Sequence, residues 1–430
     1  MLIFVENITN RLSYTFDFIF KERDLKYELT IDRDYFLASK SPKFNYSRDT
    51  FDKGITSLVP SSILFRKGVY NFTINKSLFN NEECLTINEK IDPFASIFYI
   101  LTRYEEYNST LIDQHGRHQG IHSVLYRFNW QHKAMCDHWA EDILDYFKVN
   151  CKFKYQKKIY HPQIIPTFDI DKAYAFKHKG LLRTILANFK DLWKKNAKQV
   201  VERKMVISGS KKDPFDNFDR IYEIHRRGYD VKLFWLLGDY GKYDKNISYK
   251  HKRHVRLIKK MAKIASIGIH PSYKSNSNDF FVHNEIERLQ NILSKHVKNS
   301  RQHYLKMTLP KTYETLIEQD IEHDYSMGYA DICGYRSGTA RKHHWFNVMT
   351  NQKTKLKIHP FAYMDGTLNE YLKMSPEEAQ EKIVELFMEA KKYGGDFIFI
   401  WHNDTINDYG HWKSWSQVLE FTLRLREIFD

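Results

Sequence analysis

The sequence predicts an α/β protein in which a smaller mixed α/β segment, residues 1–160, precedes a (β/α) barrel of about seven units, residues 161–430. Three observations lead there. From about His161 short apolar runs alternate with amphipathic or charged segments, the pattern of a βα-repeated parallel fold. Several runs are apolar nearly throughout, such as VKLFWLL (231–237) and FIFIW (397–401), as strands buried on both faces are. Acids and histidines then recur where those runs end, and barrel enzymes place their reactive groups at the C-terminal ends of strands.

Seven runs follow in order: 163–171, 231–239, 263–270, 301–307, 324–330, 355–364 and 396–403. Between the last two, 375–392 has the signals of a helix: Ser375 at the N-cap, Pro376 at N1, acids in the first turn and lysines in the last. In the first part, DPFASIFYILTRYEEYN (92–108) predicts a helix opened by Asp-Pro, with the RYEEY charges pairing along it.

Length and composition set outer bounds. At 430 residues the chain predicts two or three domains, and 42% hydrophobic content with 15% aromatics supplies a packed core. A net charge of +14 draws anions, among them nucleic acid, an acidic membrane face, a sugar nucleotide or a phospholipid-linked glycan. No basic recognition helix, zinc finger or aromatic ladder supports specific nucleic-acid binding. The four cysteines form no CxxC pair, and MLIFVENITN has no secretory-signal pattern, so the expected location is cytoplasmic, with peripheral contact at the inner membrane face allowed.

The run PTFDID (166–171) carries the chemistry. Side chains two apart on a strand share a face, so Asp169 and Asp171 project together from its end. Such a pair needs a cation, a proton or water to relieve it. His270 ends the third run, Asp365 follows the sixth and His402 ends the seventh, a set able to hold a zinc-like ion with an acid and a base beside it.

These stretches resemble the polysaccharide deacetylases with the NodB-homology domain. PTFDID resembles their aspartate motif, GIHPSYKS (268–275) the start of their histidine motif, GYRSGT (334–339) their arginine motif and FIWHND (399–404) their closing motif, all in family order. The resemblance implies a distorted (β/α)7 barrel that removes an acetyl group from an N-acetylated sugar of a surface polysaccharide or its precursor. It implies Asp169 as general base, Arg336 as the residue orienting it, His402 as general acid, and Asp171 and His270 as ligands of one divalent metal, zinc by donor type. Lys274 stands where most of the family has a second histidine, so a third ligand must come from elsewhere, and His303 is the candidate. Asp365, Arg301, Tyr335 and Trp401, at or beside the same strand ends, are candidates for substrate contact; Asp365-Gly also reads as a turn. A chain without that ligand would instead be a non-catalytic glycan- or lipid-linked-glycan-binding protein.

Residues 172–212 hold twelve Lys/Arg against two acids, with Leu182, Ile185, Leu186, Phe189, Leu192 and Trp193 at helical spacing. Packing on the barrel is the expected fate of that stripe. The alternative is contact with an anionic membrane through residues 181–204.

Overall fold

A computed structural model describes residues 1–51 and 54–429. The N-terminal part builds a parallel sheet from β1 (Leu2–Val5), β2 (Glu28–Thr30) and β3 (Lys43–Tyr46), with β1 central, and an antiparallel meander from β4 (Ile74–Phe79), β5 (Glu82–Ile87) and β6 (Lys90–Ile91). Its core is aromatic: Phe16, Phe44, Phe94 and Phe147 are all fully buried. The helix Pro93–Leu101 has the expected Asp92 cap, whose carboxylate accepts from the Ala95 N–H. It stops short of the expected end, because Arg103 turns left-handed (φ 54°) and RYEEY continues as a single 3-10 turn, Tyr104–Glu106.

The second part is organised by one large sheet: β7 (Ile164–Ile170), β8 (Lys232–Trp235), β9 (Ser266–Ile269), β10 (Asn299–Ser300), β11 (His323–Asp324), β12 (His343–Asn347), β13 (Gln352–Ile358), β14 (Tyr363–Met364) and β15 (Phe397–His402). Their order is β12-β13-β11-β10-β9-β8-β7-β15-β14, and every pair is parallel except β12–β13. The hydrogen-bonded ladder therefore ends at β12 and β14 among the described residues, and closure into a barrel is not formed. The sheet curls nonetheless, since Ile165, Phe234, Ile398 and Ile400, from the adjacent β8, β7 and β15, pack with Tyr325 and Phe361, which follow β11 and β13 on the other side of the ladder. Alternation on β15 sends Ile398, Ile400 and His402 inward, while Phe399 and Trp401 face the core under the helices.

Four of the seven expected runs coincide with β7, β8, β9 and β15. The run 301–307 lies just past β10, 324–330 shares only its first residue with β11, and 355–364 is divided between β13 and β14. The apolar stripe on the helix Leu181–Trp193 does not pack on the sheet: none of that helix is buried.

Candidate metal centre and its flanking groups

Asp171, His270 and His303 meet at the C-terminal ends of the strands. His270 Nε2 lies 3.2 Å from Asp171 Oδ1, and His303 Nε2 lies 3.2 Å from Asp171 Oδ2. The outer face of each imidazole is already committed. His270 Nδ1 is 2.6 Å from the Arg301 carbonyl, and His303 Nδ1 is 2.9 Å from the Asp244 carboxylate. Both partners only accept, so each Nδ1 keeps a proton and each Nε2 faces Asp171, the nitrogen left to bind a cation once it is deprotonated. A divalent cation between these nitrogens and the carboxylate would take the place of their protons. Ligand atoms about 2.1 Å from a tetrahedral ion sit roughly 3.4 Å apart, close to the separation of each histidine from its nearer Asp171 oxygen. Asp171 Oδ1 is moreover buried with no hydrogen-bond partner. The three residues thus fit a divalent cation, and Asp/His/His suits zinc among others. The same geometry explains the titration of the protein alone. Burial would lower His303, but Asp171 and Asp244 override it and raise it to about 9, while the two histidines hold Asp171 well below the usual carboxylate range despite burial.

The local backbone that delivers His303 is strained. It opens a one-turn 3-10 segment, His303–Leu305, in which Tyr304 and Leu305 have φ of 61° and 52°. Lys274 stays out of the site, its ammonium 4.4 Å from the Phe281 ring centre.

Asp169 lies beside this cluster with Oδ2 3.7 Å from His270 Nε2, and its other oxygen is anchored by Arg301, not by Arg336. Arg301 is fully buried; it donates to Asp169 Oδ1 (2.9 Å), Thr167 Oγ1 (2.8 Å) and the Tyr325 carbonyl (3.0 Å), with its guanidinium 4.4 Å from the Phe234 ring centre. It is a positioning group beneath Asp169 and, fully buried, is not placed to contact substrate as expected. Arg336 is spent elsewhere. It forms a two-pronged ion pair with Glu106 (2.6 and 2.9 Å) and donates to the Gly328 carbonyl, joining the N-terminal part to the large sheet.

His402 stands across the site, with its Nδ1 2.8 Å from Asp365 Oδ1. Asp365 Oδ2 accepts from the His402 backbone N–H (2.9 Å) and from Thr405 Oγ1 (2.6 Å). Asp365 is wholly buried, so it orients His402 rather than touching substrate. Burial alone would lower the His402 pKa; Asp365, with Asp171 and Asp169 adding, raises it well above the ordinary value. Tyr335 and Trp401 also leave the substrate set. Tyr335 donates to the Leu386 carbonyl in the core, and Trp401 is fully buried on the outward face of β15.

A cavity of about 510 Å³ opens above these groups, walled by Tyr243, Tyr304, Tyr371, Tyr409 and Trp412, with Lys172, Lys242 and Lys245 at its rim. Arg117, from the N-terminal part, reaches it too, donating to the Tyr304 carbonyl (3.0 Å) and the Tyr371 hydroxyl (3.1 Å). A larger cleft, about 870 Å³ and lined by His283, His323 and Lys355, contains none of these catalytic candidates. Sequence reasoning missed Asp244, which sits in a loop without periodic signal, and the orienting role of Asp365.

A family model described as a family of unknown function (DUF7033) matches residues 1–152. No curated protein matches the chain. Similar solved structures include a candidate polysaccharide deacetylase from Mycobacterium smegmatis, at 14% identity over 65% of this chain and 88% of that one (TM-score 0.39). Puue allantoinase is similar at 10% identity over 63% and 91% (TM-score 0.36), and IcaB from Ammonifex degensii at 11% over 40% and 87% (TM-score 0.23).

Proposed function

We propose that this protein is a metal-dependent hydrolase that removes an acetyl group from an N-acetylated sugar of a surface polysaccharide or its precursor, acting at the cytoplasmic side. The observation that carries this reading is the convergence of Asp171, His270 and His303 with the Nε2 of both histidines turned toward the centre. The ordered motifs from PTFDID to FIWHND support it. When bound, a divalent ion such as zinc polarises an acyl carbonyl and acidifies water. Asp169 then accepts a proton at Oδ2, because Arg301 occupies Oδ1. His402, kept protonated by Asp365, donates from Nε2 to the departing amine. The tyrosine and tryptophan walls offer flat faces for a sugar ring, and the rim lysines suit an anionic polymer or carrier.

Metal content of the untagged protein, measured by plasma mass spectrometry, tests the reading together with acetate release from N-acetylated oligosaccharides. Close to one divalent ion per chain is expected, lost in Asp171→Ala and His303→Ala along with acetate release. Absence of a stoichiometric ion after reconstitution would refute it in favour of a glycan-binding protein without catalysis.

A further inference from the structure

The helices Leu181–Trp193 and Ala197–Ile207 form a hairpin that departs from the sheet just after Asp171. Arg203 of the second ties back to Asn188 and Asp191 of the first. Leu182, Phe189 and Trp193 are 71%, 69% and 85% exposed, and Ile185, Leu186 and Leu192 are exposed as well. At about 100° per residue these six form one continuous stripe, and Arg183, Lys190 and Lys194 fall together along one flank of it. Over residues 181–207 the chain has seven Lys/Arg and two acids, a net of +5.

We propose that this hairpin docks the protein on an anionic lipid bilayer with the cavity mouth turned toward the lipid. No helix among the described residues is long and apolar enough to cross a membrane, and an apolar stripe edged by cations is the composition of a helix lying in the headgroup region. Charge selects the occupant: a second copy would set +5 against +5, whereas anionic headgroups neutralise it. Attachment fixes the orientation. Lys172 and Phe215, which bracket the hairpin in the chain, both line the cavity. Glu202 of the second helix accepts from the hydroxyl of Tyr409 (2.7 Å), another wall residue, and the Arg183 guanidinium lies 4.0 Å from the Tyr240 ring centre. A docked hairpin would therefore present a glycan carried on a lipid anchor to the metal centre. That final step rests on the deacetylase reading; docking itself does not.

Co-sedimentation of the full chain with phosphatidylcholine vesicles, with and without phosphatidylglycerol, tests the proposal. The wild type is expected to pellet with the anionic vesicles and to be released by added salt. Leu186→Glu/Phe189→Glu should bind at least about tenfold more weakly with an unchanged melting temperature, since both side chains are exposed. Lys190→Glu/Lys194→Glu should lose the preference for the anionic lipid. Wild-type protein that stays in the supernatant with both vesicles, or that pellets no better than the Leu186→Glu/Phe189→Glu variant, would overturn the proposal. So would a dimer, seen by sedimentation velocity, that this variant dissolves while vesicle binding is absent. Metal content measured on the same samples separates the two readings, because docking variants should keep the ion and His303→Ala should keep vesicle binding.

Discussion

Replacing Asp365 with Asn removes the charge from a wholly buried carboxylate that three donors share: His402 Nδ1 at 2.8 Å, the His402 backbone N–H at 2.9 Å and Thr405 Oγ1 at 2.6 Å. A hydrogen bond to a charged group contributes about 1.5–3 kcal/mol. Divided by roughly 1.4 kcal/mol per pH unit, its loss lowers the His402 pKa by about one to two units. If His402 is the general acid, activity falls as pH rises through its pKa, so the alkaline limb of the pH profile should move down by the same interval. The stability effect has a defined sign. The folded-state pKa of His402 lies above its unfolded value near 6.5, so its contribution is fully present below that pH and is lost as pH climbs through the folded value. The melting deficit of Asp365→Asn should therefore be greatest near pH 6 and narrow toward alkaline pH. Titration of ¹⁵N-histidine-labelled protein by NMR, with the His402 resonance assigned from a His402→Gln sample, reads the pKa without needing substrate. A His402 pKa that is unchanged or higher in Asp365→Asn would refute the coupling.

Arg301→Lys should cut turnover by about ten- to a hundredfold, since an ammonium cannot serve Thr167, Asp169 and Tyr325 at once; metal content should hold, and parallel losses of metal and rate would place the defect elsewhere. Glu106→Gln strips the buried partner from Arg336 and should destabilise the fold by about 3–5 kcal/mol in urea unfolding, whereas a variant within about 0.5 kcal/mol of wild type would show the pair to be dispensable. Arg117→Ala touches no metal ligand but releases the Tyr304 carbonyl, so metal affinity, read by chelator competition, should fall by about ten- to a hundredfold, as outer-shell losses do.

What could be read in the sequence was local. Asp169 and Asp171 follow from the two-residue period of a strand, and His402 from a single imidazole closing an almost wholly apolar run. Partners distant in sequence could not be read that way. Arg301 pairs with Asp169 across 132 positions, while the arginine motif pointed to Arg336, whose guanidinium serves Glu106 instead. β10 and β11 have two residues each, too few to leave a periodic signal. The stripe at 182–193 shows the opposite limit: helical spacing identifies an apolar face, but nothing in that spacing says whether protein or another phase covers it.

The same constraint bears on the N-terminal part. RYEEY is expected to pair its charges along one helix, yet the left-handed turn at Arg103 aims them inward: Arg103 donates to the Arg336 carbonyl, and Glu106 takes the Arg336 guanidinium. From the same part, His115 packs among Tyr243, Tyr273 and Tyr304, and Arg117 holds the Tyr304 carbonyl. Tyr304 and Leu305 are held in backbone conformations costing about 1–3 kcal/mol each, conditions that persist only when surrounding contacts over-determine them. Arg117 provides one such contact, and the strained turn it braces is the one that presents His303 to Asp171. The placement of His303 beside Asp171 therefore depends on residues outside the large sheet, and through Arg117 the N-terminal part braces the candidate metal site.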